Sequence, residues 1–393
     1  MVGVRSSNLR PVMARVVIKL GSAIVATDEG ELRAQLLAGV CAAVAGARRD
    51  GDEVIIVTSG AIACGTRVLG LAGRPTAIEE LQAASAVGQG RLYRVYDELL
   101  AAQGAVAAQV LLTFSDVSAR TSYLNARQTL GKLLDWGAVP VINENDTTAT
   151  DEISFGDNDF LAAQVSILVG ADRLVILTGT DGLYTADPRT DPAAVRVERV
   201  EDFAALEQLS ITRTTSAHGS GGMRSKVVAA DMATAAGIET VICNGERDGV
   251  LAAVLAGGSE GTVFVAREQR HSSFKLWLRY AKPSRGTIVV DGGAARALRE
   301  GGTSLLPVGV VAVRGEFDEG DAVDVVELAA AADQGDGGGG DGGDAVEQPI
   351  GKGISNYSAA DLRAAAGRHS AAVRELLPRA AAEAVHRDYF VLA

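Results

Sequence analysis

The stretch Val54-Ile55-Ile56-Val57-Thr58-Ser59-Gly60-Ala61 decides the fold. Side chains alternate between the two faces of a strand, so four consecutive apolar residues need cover on both faces. Ser-Gly-Ala then removes all bulk at the strand's carboxyl end. The same pattern recurs along the first two-thirds of the chain. Val16-Val17-Ile18-Lys19-Leu20 reads as a strand and runs into Gly21-Ser22. An Ala- and Leu-rich helix is expected over 31–49. Further strands are expected over 105–110, 139–142, 174–177 and 240–242, with helical patterns between them. Apolar strands alternating with helices specify an α/β fold with a mainly parallel sheet covered on both faces. Ligands of such sheets bind at the carboxyl ends of strands, so the residues just after each strand carry the chemistry.

Those residues are small or polar. They are Gly21-Ser22, Ser59-Gly60-Ala61, Asn143-Glu144-Asn145-Asp146 and Thr178-Gly179-Thr180-Asp181-Gly182. Small residues let a backbone approach an anion, and the following helix presents unpaired N–H groups. One such turn is commonplace; four in one pattern point to a ligand.

The 393 residues carry 37 Lys and Arg against 49 Asp and Glu, a formal net charge of −12. That length favours two domains. The charge disfavours a general polyanion binder and leaves room for a small anionic ligand met by a few placed cations. Cys41, Cys64 and Cys243 show no metal-ligand spacing and are read as core residues of a protein from a reducing compartment. The first dozen residues are read as an unstructured extension. Lys19 interrupts the early apolar run, which excludes a signal peptide, and no stretch matches a membrane helix. A cytoplasmic protein is expected.

The alternation stops near 264–273. Beyond 286 short β-like pieces dominate, at 287–291, 308–313 and 321–327. They form a second, smaller, mainly β domain. The Asp/Gly tract at 333–344 has nothing apolar to bury and is expected to be a loop. Its Gly337-x-Gly339-x-x-Gly342 pattern has no strand–helix context and carries no weight. A helical pattern follows from Ala359.

Two lysines stand out. Lys19 lies inside a strand buried on both faces, where a cation is costly unless an anion pairs with it. The bland alternative is a strand-end lysine reaching water. Lys226 closes Gly219-Ser220-Gly221-Gly222-Met223-Arg224-Ser225-Lys226, a glycine-rich lead into a helix that suits phosphate. A flexible loop with a surface lysine is its alternative. The clusters 143–146 and Gly156-Asp157-Asn158-Asp159 offer amides and carboxylates able to hold a zwitterionic amino acid, or they are ordinary Asx turns. No Gly-x-x-x-x-Gly-Lys-Ser/Thr loop is present.

These segments, VVIKLGS (16–22), VTSGAIA (57–63), VPVINEND (139–146), GDND (156–159), GLYTADP (182–188) and GGMRSK (221–226), resemble the glutamate 5-kinases of the amino acid kinase family. PVGVVAVRGEFDEGD and GISNY resemble the PUA domain that many bacterial members carry. The resemblance implies a three-layer α/β/α sandwich with a small mainly β PUA-like domain. It sets a catalytic domain at 14–266, a PUA-like domain at 285–366 with the tract 333–344 inserted, and a helical tail at 367–393. It implies phosphorylation of the glutamate side-chain carboxylate by ATP with Mg2+, the first step of proline biosynthesis.

Carried over by motif, Lys19 and Lys226 contact the ATP phosphates and the transferring group, and Asp159 organises them. Ser59, Gly60, Asp146 and Asn158 hold glutamate. Thr178, Gly179, Ser220, Gly221, Gly222, Met223, Arg224, Ser225 and Lys226 line the nucleotide site. No protein-held metal is implied, since magnesium rides on the ATP phosphates. Homo-oligomers and feedback inhibition by proline are implied too. The family often has Thr-Asp where this chain has Thr178-Gly179, and Asp181 is a candidate for the shifted carboxylate. The competing readings are a sister amino acid kinase and an RNA-binding protein acting through the PUA-like region. Residues 281–393 carry 11 Lys and Arg against 17 Asp and Glu, the wrong sign for RNA.

Overall fold

The computed structural model describes residues 13–113, 116–117, 120–148, 158–203, 206, 222–268, 275, 278–279, 284–328, 347–377 and 380–392. The Asp/Gly tract, the initial dozen residues, Gly156-Asp157 and Gly219-Ser220-Gly221 lie outside them. The chain folds as two compact units, 1–270 and 271–393.

In the first unit the elements run β1 (Arg15–Leu20), α1 (Ser22–Val25), α2 (Ala34–Arg49), β2 (Glu53–Val57), α3 (Ala61–Val68), α4 (Ile78–Ala101) and β3 (Val106–Leu112). They continue with α5 (Arg120–Asp135), β4 (Ala138–Glu144), α6 (Asn158–Val169), β5 (Arg173–Thr178), β6 (Arg199–Val200), α7 (Met223–Ala235), β7 (Glu239–Asn244), α8 (Val250–Leu255) and β8 (Thr262–Phe264). One sheet has the order β3-β4-β2-β1-β5-β7-β8-β6. Its pairings are parallel except β7 with β8.

The expectation of a mainly parallel α/β sheet is met, and the reason is visible in β1. Val17, Ile18 and Leu20 are wholly buried, as are Ile55, Ile56 and Val57 beside them in β2. β1 lies between β2 and β5, so the chain winds to one side of it and then returns on the other. That reversal is where ligands of open α/β sheets bind. It places Lys19 next to Val57 and Ile176, beside the reversal. The three cysteines are buried, and burial pushes the Cys41 and Cys243 thiols up to about 12.

The second unit holds β9 (Gly286–Val290), α9 (Gly292–Gly301), β10 (Val310–Gly315), β11 (Ala322–Leu328), β12 (Glu347–Ser355), α10 (Ala359–Ala365), α11 (Ser370–Leu376) and β13 (Val385–Leu392). Its five-stranded sheet, β10-β9-β11-β12-β13, is mixed: β9 and β11 are parallel and the rest antiparallel. Ile288, Val290, Leu298, Val323, Tyr357, Leu362 and Phe390 share its core.

The tail over 367–393 is not a helix throughout. Gly367 takes a left-handed φ of 70° and ends the α10 segment. After α11 the chain becomes strand β13, paired antiparallel with β12 through Gly353 and Phe390. The Ala-rich composition hides this, whereas Val385, Phe390 and Val391 are buried strand residues with exposed Arg387 and Asp388 between them.

Candidate active site

Lys19 sits in β1 immediately before the Leu20-Gly21 exit, and the residue is buried, 1 % exposed. It closes on Asp159, fully buried in the first turn of α6: Lys19 Nζ lies 2.5 Å from Asp159 Oδ1. Lys226, in the first turns of α7, reaches the other oxygen, with Nζ 3.0 Å from Oδ2. Ser225 Oγ donates to the same oxygen at 2.9 Å. Burial alone would push the Asp159 carboxyl up. The charges of Lys19 and then Lys226, with their hydrogen bonds, overcome this and hold it well below the usual carboxylate range. The α6 N-terminus favours the same ionised form. Gly21 lies beside the centre: a Cβ there would be in ordinary contact with Lys19 Nζ, at 3.7 Å.

A second cluster lies beside it, made of neutral groups and the Asp146 carboxyl. Asn158 Nδ2 donates to Thr58 O at 2.5 Å, Ser59 Oγ at 3.0 Å and Asn143 Oδ1 at 2.8 Å. Asn143 Nδ2 in turn donates to Gln89 Oε1 at 2.6 Å. Asp146 Oδ2 accepts from Ser85 Oγ at 2.5 Å. Burial raises the Asp146 carboxyl above its usual range, against the opposing Ser85 hydrogen bond and Arg74 charge. Gly60, at φ 99°, makes the left-handed turn from β2 into α3, where a Cβ would stand 2.9 Å from Val25.

Among the sequence candidates, Lys19, Asp159, Ser225 and Lys226 therefore meet at one point, and Ser59, Gly60 and Asn158 meet at a second. Asp146 reaches Ser85. Gly222 caps α7, with Met223 and Arg224 in its first turn and Arg224 exposed. Thr178 ends β5, two residues past the Ile176 that neighbours Lys19. Asp181 accepts from Asn244 Nδ2 at 3.0 Å and Arg247 at 3.1 Å. The carboxylate beside Gly179 belongs instead to Glu246, with which a Gly179 Cβ would be in ordinary contact. Ser220 and Gly221 lie outside the described residues.

Sequence reasoning missed the contribution of α4, whose buried stripe carries Ser85, Gly88, Leu92 and Tyr96. Tyr96 OH lies 2.8 Å from Thr58 Oγ1, so the helix reaches the β2 exit as well. A Cβ on Gly88 would stand 1.9 Å from the Ala61 carbonyl oxygen, and one on Gly65 would stand 1.7 Å from that of Ala84. The two glycines let α3 and α4 touch backbone to backbone. The available signal was weak: glycines inside helices, and polar residues at the spacing 85, 89, 96 on a stripe otherwise apolar.

The amino acid kinase family model matches residues 14–244, and the PUA domain model matches residues 286–377. The chain belongs to the amino acid kinase family, in its glutamate 5-kinase branch. A glutamate 5-kinase of Meiothermus ruber is 43% identical over 380 residues, 96% of either chain. One from Synechococcus sp. is 42% identical over 379 residues, covering 96% of this chain and 98% of that one. One from Thermus thermophilus is 42% identical, over 96% and 97%. Both units therefore fall within the span shared with these family members. Among the described residues no group of three His, Cys, Asp or Glu side chains converges as a metal cage. No helix among them is long and apolar enough to cross a membrane.

Proposed function

We infer that this chain transfers the γ-phosphoryl group of ATP to the side-chain carboxylate of L-glutamate, giving L-glutamate 5-phosphate and ADP, the first step of proline biosynthesis. The observation that carries this is the buried Lys19–Asp159–Lys226 centre beside a neutral amide cluster at the strand reversal. The nucleophile is a carboxylate with a pKa of about 4.3 in water, so it is ionised at neutral pH and needs no general base. A carboxylate oxygen forms the new bond to the γ-phosphorus as the bond to the ADP oxygen breaks. The obstacle is the approach of one anion to another and the charge on the equatorial oxygens. Lys19 and Lys226 address it as donors fixed in advance by Asp159. An ammonium group carries three N–H donors, so contact with Asp159 is compatible with contact to phosphate.

Both Asp159 oxygens face lysines, and the carboxylate's role in this reading is to hold them. Magnesium enters with ATP, on its phosphates, as part of the substrate. Ser59, the Gly60 N–H, Asn158 and Asp146 hold glutamate. Thr178, Gly179 and the segment 220–226 line the nucleotide. Proline, with an α-carboxylate and a cationic nitrogen, is a fitting inhibitor at the glutamate end. A cytoplasmic homo-oligomer completes the reading.

The test traps the acyl phosphate as a hydroxamate with hydroxylamine, comparing glutamate, aspartate and N-acetylglutamate. A glutamate-specific signal is expected, and Lys226→Ala should lower it by about two orders of magnitude. Silence with glutamate from folded protein supplied with magnesium and ATP would overturn the substrate. Near-normal turnover of Lys226→Ala would overturn the lysine's role.

A further inference from the structure

A carboxamide has nearly the same shape either way round, and its neighbours decide whether its oxygen or its nitrogen faces a ligand. Asn158 Nδ2 is committed to the Thr58 carbonyl, Ser59 Oγ and Asn143 Oδ1. What Asn158 has to offer a ligand is then Oδ1, an acceptor, which suits an ammonium group. The Thr58 carbonyl can only accept and favours this orientation by itself; Asn143 adds to it as long as it keeps its own oxygen toward Asn158. A reversed Asn143 would present a donor to a donor. Asn143 is held by its Nδ2, which donates to Gln89 Oε1 at 2.6 Å. Gln89 lies one turn after Ser85 on α4, and Gly88 between them packs α4 against α3.

We propose that Gln89 is a positioning residue for glutamate, acting through Asn143 and alongside the Thr58 carbonyl to hold the Asn158 carboxamide oxygen toward the substrate's α-ammonium group. This rests on the glutamate-site reading above. It adds a residue on α4 that touches no substrate, and it assigns the residue a direction: an acceptor is required at position 89. Glutamate selectivity over an analogue with a hydroxyl in place of the ammonium is then set partly from the helix. A reversed Asn158 amide would present N–H groups, which oppose an ammonium but serve a hydroxyl oxygen.

The experiment uses the full chain and the hydroxamate assay with glutamate and 2-hydroxyglutarate. Gln89→Met removes the acceptor at similar volume. The glutamate KM should rise about tenfold, the size of one lost buried hydrogen bond, while kcat and the ATP KM stay within about twofold. The preference for glutamate over 2-hydroxyglutarate should shrink by a similar factor. Gln89→Glu keeps an oxygen that cannot reverse into a donor, and it should keep the glutamate KM within about threefold of wild type, an allowance of about half that bond's energy. Should Gln89→Met not fold, Gln89→Lys, a donor at a partly exposed position, should show the same loss. An unchanged glutamate KM in the acceptor-free variants overturns the proposal. Equal losses in Gln89→Met and Gln89→Glu, or equal losses for the two substrates, also overturn it, since either assigns the effect to helix packing. Wild-type turnover of glutamate in the same assay separates these outcomes from failure of the substrate reading. If wild type is active and Gln89→Met is silent, the relay alone falls.

Discussion

Lys19 and Lys226 meet on one carboxylate with no exposure at all, that of Asp159, whereas the adjacent Asn158 is held by a backbone carbonyl, a hydroxyl and a second amide. The two ends of the site solve different problems. At the lysine end charge is buried, and each charge is tolerable because the others are present. At the amide end Asn143, Asn158 and Ser59 are neutral, and what matters is which way each donor points; Asp146, held by Ser85, is the one acid beside them. The lysine end should therefore respond to charge, the amides to geometry, and Asp146 beside them to pH.

The largest effect is expected from Asp159→Asn. It leaves two ammonium groups facing each other in a buried space, and removing one partner of a buried pair costs about 3–5 kcal/mol. Urea titration at neutral pH measures this. The Asp159 carboxyl is held below its usual range in the fold. Its stabilisation is therefore complete above the unfolded pKa of about 3.9 and is lost as pH falls through the lower folded value. The variant should lack that part of the acid limb. Replacing the whole centre, Lys19→Met with Asp159→Leu and Lys226→Met, should recover most of the stability and no phosphoryl transfer. If the triple variant stayed as unstable as Asp159→Asn, the charge argument would fail.

The legibility of the two ends differs for the same reason. A lysine inside Val16–Leu20 is conspicuous, because a cation among apolar strand residues demands a partner. The apolar runs around it also gave the parallel sheet. Its partners lie far along the chain and came from the resemblance of GDND and GGMRSK, not from periodicity. The amide end is harder to read. Ser85 and Gln89 lie in a 24-residue helix where Ser and Gln look like ordinary surface residues. Their direction depends on how α4 packs on α3, and that packing rests on two glycines whose intrinsic effect is to weaken helices. Strand β13 was missed because alanine-rich sequence before it reads as continuing helix.

Gly88→Ala tests whether that packing serves the amide end alone. The added Cβ would stand 1.9 Å from the Ala61 carbonyl oxygen, so α3 and α4 must separate. Overpacking of this kind costs about 1–3 kcal/mol. The shift moves Ser59 and Gly60 relative to Ser85 and Gln89, while Lys19, Asp159 and Lys226 lie on other elements. The glutamate KM should rise and the ATP KM should hold. Equal changes in both would show that the two ends share a mechanical support.

Ser85→Ala should have the smallest effect and the clearest sign. Burial raises the Asp146 carboxyl, and the Ser85 hydrogen bond and Arg74 charge oppose the rise. Removing the hydroxyl takes away one opposing influence, so the carboxyl should move further up. The ionised form is the one that would hold the substrate ammonium. At neutral pH the loss of one hydrogen bond, about 1 kcal/mol, should raise the glutamate KM about fivefold. As pH falls, the glutamate KM should begin to climb at a higher pH in the variant than in wild type, with the ATP KM as the internal control. Stability follows the opposite sign. A carboxyl raised in the fold stabilises it when protonated, and that contribution is lost as pH rises through the folded pKa. Acid should therefore weaken glutamate binding through Asp146 while relieving the cost of burying it. Asp159 behaves the other way, losing its contribution as pH falls. Coincident pH limbs for Ser85→Ala and wild type would place Asp146 outside glutamate binding and leave the amides to hold the substrate alone.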